Sequence, residues 1–129
     1  MTEIRLKDMI DKYGDNVLYT VKDIFELENV KVSITEMEGD DVCGHSIYTR
    51  GHRHKNPYPE LYVWLYGRGI ILLKDKYGNT EYKELDEDSQ TVEIPADRWH
   101  RVMNMGDSAL EFLSIYHADS EPIYGDEKW

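Results

Sequence analysis

The stretch Glu60–Leu85, ELYVWLYGRGIILLKDKYGNTEYKEL, decides the fold class. It holds three strand candidates, Glu60–Leu65, Gly69–Asp75 and Thr80–Leu85. They are divided by the turn signals Tyr66-Gly67-Arg68-Gly69 and Lys76-Tyr77-Gly78-Asn79. The same rhythm continues outward in both directions. Upstream, Val17, Tyr19 and Val21 alternate with Leu18, Thr20 and Lys22, and Val30, Val32 and Ile34 alternate with Lys31, Ser33 and Thr35. A half-buried strand needs this alternation, because successive side chains point to opposite faces. Gly44–Thr49 follows after the turn Glu38-Gly39-Asp40-Asp41. Downstream come Thr91–Ile94, His100–Asn104 and Leu110–Tyr116, set apart by Asp86-Glu87-Asp88-Ser89 and Met105-Gly106-Asp107-Ser108. Short strands with turns roughly every 8–12 residues predict an all-β sandwich or barrel.

The ends read differently. Thr2 can cap a short N-terminal helix whose apolar residues Leu6, Met9, Ile10 and Tyr13 fall at i, i+3, i+4 and i+7, with Gly14 to end it. The tail Ala118–Trp129 is polar and is expected to pack along the surface. No composition shift marks a second domain, so residues 1–129 read as one.

Charge narrows the function classes. Twenty-six acidic residues face fifteen basic ones, a formal net charge of −11. Such a chain repels phosphate backbones and anionic lipid surfaces, which argues against nucleic-acid and membrane partners. The apolar runs Leu61–Tyr66 and Ile70–Leu73 are too short to span a bilayer. The first residues carry no apolar signal-peptide core, and the single Cys43 allows no internal disulfide, so a cytoplasmic home is expected. Two basic islands break the acidity: Arg50, Arg53 and Lys55, and the pair Arg98 and Arg101 around His100. The first island either steers an anionic substrate or is plain surface charge.

His52 and His54 are two apart, which puts both imidazoles on one face of a strand. Glu60 opens the next strand, and His100 comes much later. Three imidazoles and a carboxylate suit a divalent transition metal with positions left open for substrate. An HxH pair alone is weak, since most histidines are ordinary surface or core residues. Tyr62 shares strand parity with Glu60, so it either lines a pocket or fills the core; the same holds for Trp64. His45 and His117 have no ligand spacing, and nothing places Cys43 beside a base. Gly67 and Gly69 read as turn residues, because no helix start follows them.

Gly51-His52-Arg53-His54 with Glu60 and Gly67 resembles the first cupin motif. Ile94-Pro95-Ala96-Asp97-Arg98-Trp99-His100-Arg101-Val102-Met103-Asn104 resembles the second, with Pro95, His100 and Asn104 in register. Further stretches are similar to the archaeal cupin-type glucose-6-phosphate isomerases: Thr49–His54, Glu60–Val63, Gly67–Gly69, Trp99–Arg101, Asn104–Asp107, Ile115–Asp119 and Tyr124-Gly125. The likeness runs from about Val17 to Gly125. It implies a cupin double-stranded β-helix, an antiparallel barrel. It implies a metal held by His52, His54, Glu60 and His100, with iron(II) the family expectation and nickel, manganese or zinc as substitutes. It also implies phosphate contacts at Thr35, Thr49 and Gly51, and substrate-pocket tyrosines at Tyr62, Tyr116 and Tyr124, with Tyr19 a further candidate. The related isomerases are dimers, so a homodimer is expected. The sequence departs from that pattern in a shortened run between His54 and Glu60, in Ser89 and Asp97 at general cupin glycines, and in Pro122 where a histidine stands.

The expected reaction is the interconversion of glucose 6-phosphate and fructose 6-phosphate. A metal bound to the C1 and C2 oxygens would acidify the carbon-bound proton, and Glu60 would carry it between C2 and C1. A hydride shift is the competing mechanism on the same residues. The alternatives are a cupin that binds a sugar or oxyanion without turnover, or an iron-dependent oxygenase, because the fold hosts many functions. Thr35, Thr49 and Gly51 favour the isomerase, since an oxygenase has no need of a phosphate site.

Overall fold

The structure, a computed structural model, describes residues 3–4, 19–39, 46–49, 51–54, 58–96, 98–104, 106–120 and 122–124. These residues form twelve strands: β1 Glu3–Ile4, β2 Tyr19–Leu27, β3 Val30–Met37, β4 Ser46–Tyr48, β5 His52–His54, β6 Glu60–Tyr66, β7 Gly69–Lys74, β8 Thr80–Leu85, β9 Thr91–Ile94, β10 Trp99–Asn104, β11 Leu110–His117 and β12 Pro122–Tyr124. The all-β expectation holds, and the strands predicted between Val30 and Tyr116 form within the described residues, with ends there moved by a residue or two; Gly44 and His45, at the start of one of them, lie outside those residues.

The strands build two sheets. One is antiparallel throughout, in the order β2-β3-β11-β6-β9. The other is centred on β10. On one side of β10 lie β7 and then β8. On its other side β4 and β5 lie end to end, pairing with Met103–Asn104 and with His100 respectively. β1 extends β4 in parallel, and β12 extends β5 in antiparallel fashion. The ladder is interrupted between β4 and β5, and Thr49 bridges the gap. Its backbone N–H donates to Val102 O at 2.8 Å, and its Oγ1 accepts from the Val102 N–H at 2.9 Å. The hydroxyl thus supplies an acceptor that a regular strand would take from its backbone.

Alternation sends one set of side chains from each sheet into the space between them. Ile71 and Leu73 from β7, Val102 from β10, Phe112 and Leu110 from β11, and Met37 from β3 meet in a core where each is at most 2% exposed. Burying each such side chain contributes about 1.5–3 kcal/mol, and truncating Phe112 to Ala would cost about 3–5 kcal/mol. Two glycines are set by close approach. Gly67 has φ +85°, and a Cβ there would lie 2.2 Å from Ala109 O; a Cβ on Gly69 would lie 2.7 Å from Met103 O. Gly67 lies in the β6–β7 connection, as its reading as a turn residue requires, whereas Gly69 is already the first paired residue of β7, opposite Asn104 and Leu85. Asn104 pins the neighbouring loop: its Nδ2 donates to Glu38 O and Ser108 O, and its Oδ1 accepts from the Gly106 N–H.

Three expectations need correction. The helix expected from Thr2 onward would include Glu3 and Ile4, yet these two form β1, because they find partners in Ser46 and Ile47. The remainder of that helix, with Leu6, Met9, Ile10 and Tyr13, lies outside the described residues, as do Val17, Leu18, Cys43, His45, Arg50, Lys55, Asp97 and Gly125. The tail is not simply a surface segment, since Pro122–Tyr124 pairs with His54–His52. Finally, β2 runs on past Lys22 to Leu27 and turns through Glu28, whose φ of 54° is left-handed without being a glycine. With no glycine at the turn, Asn29 beside Glu28 is the signal the sequence offers.

Candidate metal centre and the cavity around it

Three strands from both sheets converge on one point. β5 contributes His52 and His54 on its inner face, β10 contributes His100 directly opposite His52 in the ladder, and Glu60 enters at the first residue of β6 from the other sheet. The potential ligand atoms of these four residues lie within 4.8 Å of one another. The rings of His52 and His100 are 4.3 Å apart by centroid, and those of His52 and His54 4.9 Å. His54 Nε2 touches Glu60 Oε1, and His100 Nε2 stands 3.4 Å from the same oxygen. His54, Glu60 and His100 are all buried.

Whether these residues fit a cation is decided by their unpaired atoms. His54 Nε2, Glu60 Oε1 and His100 Nε2 are buried, face one another and find no hydrogen-bond partner outside the cluster. Leaving such groups unpaired is costly, and a shared divalent cation would satisfy all three. His100 is already oriented for it. Its Nδ1 lies 2.9 Å from Arg98 O, so Nδ1–H donates to that carbonyl and the Nε2 lone pair points inward. Burial alone would raise the Glu60 carboxyl, but hydrogen bonds and charge from His100 and His54 outweigh it and hold the group well below the ordinary carboxylate range. The carboxylate is therefore ionised, as a metal ligand must be. The donor set and its orphaned atoms fit a divalent transition metal.

A cavity of about 440 Å³ opens beside the cluster. Of the residues expected to touch substrate, Thr35, Thr49, Tyr62 and Tyr116 line it, and so does Tyr19. Thr35 is 4% exposed on the inner face of β3. Thr49 accepts from Val102 N–H, which leaves its hydroxyl hydrogen to donate. Tyr62 is both pocket wall and core: its ring lies 5.1 Å from Phe112 and 6.2 Å from His100. Burial and the nearby Glu60 charge push its hydroxyl well up, against a hydrogen bond from Ser114. Tyr116 is raised as well, by burial and by Asp23, while Ser33 works the other way. Gly51 is buried at the head of β5 and is not part of the cavity wall. Tyr124 is brought close through its backbone, which pairs with His52.

Sequence reasoning overlooks Lys31, Ser33, Ser114 and Ser120, which also line the cavity. Strand parity is the available signal for two of them, since Lys31 and Ser33 precede Thr35 at steps of two. Arg53 points to the other face of β5, with its guanidinium 5.4 Å from the Trp99 ring centroid. Trp64 packs on the core, and its Nε1–H donates to Gly67 O at 2.7 Å. His117 stacks on Tyr58 at 3.8 Å and accepts from the Asp119 N–H.

A family model described as glucose-6-phosphate isomerase (GPI) matches residues 1–127. The glucose-6-phosphate isomerase of Pyrococcus furiosus is 32% identical over 123 residues, covering 92% of this chain and 64% of that protein. The putative glucose-6-phosphate isomerase 1 of Rhizobium meliloti is 33% identical over 127 residues, covering 95% of this chain and 58% of that protein. The chain therefore spans 58 to 64% of the length of these curated relatives. Among solved structures, an oxalate oxidase in complex with the substrate analogue glycolate superposes with a TM-score of 0.68 at 10% identity, over 82% of this chain and 54% of that one. Lactobacillus farciminis oxalate decarboxylase in its formate complex gives 0.65 at 18% identity, over 84% and 30%. At such identities the likeness carries the fold alone, and that fold is the cupin barrel.

Proposed function

The chain belongs to the glucose-6-phosphate isomerase family, and from that premise we propose that it is a metal-dependent aldose–ketose isomerase interconverting glucose 6-phosphate and fructose 6-phosphate. The observation that carries this reading is one cavity walled by the His52, His54 and Glu60 side chains and by the hydroxyls of Thr35 and Thr49. A metal set and a hydroxyl donor set thus face the same space.

His52, His54, Glu60 and His100 would hold the metal, with iron(II) the expected ion. Manganese is a reasonable substitute, since Bacillus subtilis oxalate decarboxylase, of the same fold, carries Mn(II) centres. When bound, the cation supplies Lewis acidity toward the sugar's carbonyl and neighbouring hydroxyl oxygens. Thr35 and Thr49 donate to the phosphate oxygens, which fixes the far end of the substrate. Tyr62 and Tyr116 present ring faces and hydroxyls to the carbon chain. Glu60, ionised and aimed into the cavity, takes the proton from C2 of the aldose and returns it to C1, while the O2 hydroxyl proton passes to O1 and the carbonyl moves from C1 to C2, giving the ketose. A homodimer is part of the same proposal. β2 is a nine-residue edge strand exposing Val21, Ile24, Phe25 and Leu27, and a second copy would cover it. Light scattering at micromolar concentration tests that point, and a monomer refutes it.

The test of the activity is an isomerase assay on protein loaded separately with iron, manganese, nickel and zinc. Turnover of fructose 6-phosphate with at least one metal is expected. If no metal supports isomerisation of any hexose or pentose phosphate, a binding-only cupin or an oxygenase replaces this reading.

A further inference from the structure

We propose that Lys31 anchors the anionic end of the substrate and makes the cavity select phosphorylated over neutral sugars. The proposal rests on the isomerase reading above and deepens it. Lys31 is the one lysine or arginine lining the cavity among the described residues. Its position is not that of a casual surface charge. β3 is an interior strand, paired on both sides by β2 and β11, and Lys31 falls on the same parity as Ser33, Thr35 and Met37, the inward face. A half-buried lysine on the inner face of an interior strand gives up part of its hydration. Nothing among the described residues offsets that loss: no carboxylate lies within ion-pair distance of Lys31, even though Glu26 stands opposite it on β2.

The placement suits a phosphate. In the ladder Lys31 pairs with Tyr116 of β11, and β11 in turn pairs with β6, whose first residue is Glu60. Lys31 and Glu60 are thus two strands apart, on the order of 10 Å at about 4.7–4.9 Å per strand. A six-carbon chain with its carbonyl end at Glu60 and its phosphate reaching toward β3 spans such a gap, and the flexible lysine stem closes the remainder. The need is electrostatic. The chain's net charge of −11 repels a dianion, and the threonine hydroxyls offer hydrogen bonds without charge. An ammonium in the wall supplies the one full positive side-chain charge of a lysine or arginine that the described lining offers a dianion.

The experiment compares wild type with Lys31→Gln and Lys31→Arg. Thermal melts first establish that each variant folds. Glucose 6-phosphate and glucose are then titrated calorimetrically into metal-loaded protein, and KM and kcat are measured for fructose 6-phosphate. Loss of a charge-assisted contact should weaken glucose 6-phosphate binding by about 10- to 100-fold in Lys31→Gln. KM should rise by a similar factor with kcat nearly unchanged. Lys31→Arg should recover most of the affinity, glucose binding should not respond, and added salt should narrow the gap between wild type and Lys31→Gln. If wild type binds glucose 6-phosphate and Lys31→Gln binds it equally well, the anchor role is overturned and the isomerase reading stands. If wild type binds no sugar phosphate, both fall together.

Discussion

Replacing Glu60 with glutamine separates its two proposed duties. The substitution Glu60→Gln keeps the shape of the side chain and a neutral oxygen at the meeting point with His54 and His100, where Glu60 is only 6% exposed. It removes the negative charge that the two imidazoles hold in place. Loss of a charged ligand contact is worth about 1.5–3 kcal/mol, which weakens metal binding roughly 10- to 100-fold. Raising the metal concentration by that factor restores occupancy, which elemental analysis can verify. It does not restore a proton acceptor. A positioned base contributes about 10²–10⁴-fold, so kcat at full occupancy should remain lower by that amount. Turnover in deuterium oxide supplies the second readout, with wild type incorporating solvent deuterium into the product. If the fully loaded variant keeps kcat within about tenfold of wild type, or if wild type incorporates no deuterium, Glu60 serves only as a ligand. The hydride shift is then the better mechanism.

Further outcomes follow from other parts of the structure. Chelation should destabilise the protein: at metal 100-fold above Kd the bound ion contributes about 2.7 kcal/mol, on the order of 10 °C in Tm. His100→Ala should abolish that difference, so an unchanged chelator response in the variant refutes the ligand set. Thr35→Val, nearly isosteric and 4% exposed, should raise KM for fructose 6-phosphate with little change in kcat; a selective fall in kcat contradicts a phosphate role. Thr49→Val is a poorer probe, because the hydroxyl also accepts from Val102 N–H. At the β7–β8 hairpin, desolvation raises the Asp75 carboxyl, but hydrogen bonds from Asn79 and the Tyr77 N–H together outweigh it and lower the group. Its folded pKa lies below the unfolded one, so its support for the turn is complete above the ordinary Asp range and fades as pH falls. An NMR titration giving an ordinary or raised midpoint for Asp75 refutes this.

The all-β class and the paired imidazoles of His52 and His54 were legible because each rests on a short-range regularity, whereas the cupin barrel and the four-residue ligand set with Glu60 and His100 rested on the resemblance to the two cupin motifs. Period-two alternation marks strands wherever one face is buried, and the HxH spacing places two imidazoles on one face whatever the larger topology. What escaped depended on long-range pairing. Pro122–Tyr124 contains proline and lies in a polar tail, so it looks like surface; it becomes a strand because β5 offers it an open edge. Glu3–Ile4 is a strand for the same reason, beside β4. The second duty of Thr49 was equally hidden, because the gap it bridges exists only once β4 and β5 are laid end to end along β10.

The division of the barrel into a filled part and an open part is nonetheless written in the order of residues within each strand. Along β3 the inward positions run Lys31, Ser33, Thr35, Met37, from charged through hydroxylic to apolar. β11 runs antiparallel to it, and its inward positions read Leu110, Phe112, Ser114, Tyr116, so Leu110 meets Met37 and Tyr116 meets Lys31. On β6 the sequence Glu60, Tyr62, Trp64 repeats the polar-to-apolar gradient, with Tyr62 opposite Ser114 and Trp64 opposite Phe112. Neighbouring strands thus place their apolar inward residues at the same level, where they close a core, and their polar ones at the other, where mutual packing cannot satisfy them. The polar level needs water, a metal or a substrate to complete it. A strand with a uniformly apolar inner face would have filled the barrel throughout. The gradient within each strand therefore builds the core and leaves the cavity, and any substitution that carries the apolar end further along β3, such as Ser33→Leu, should reduce the cavity and substrate binding before it affects the fold.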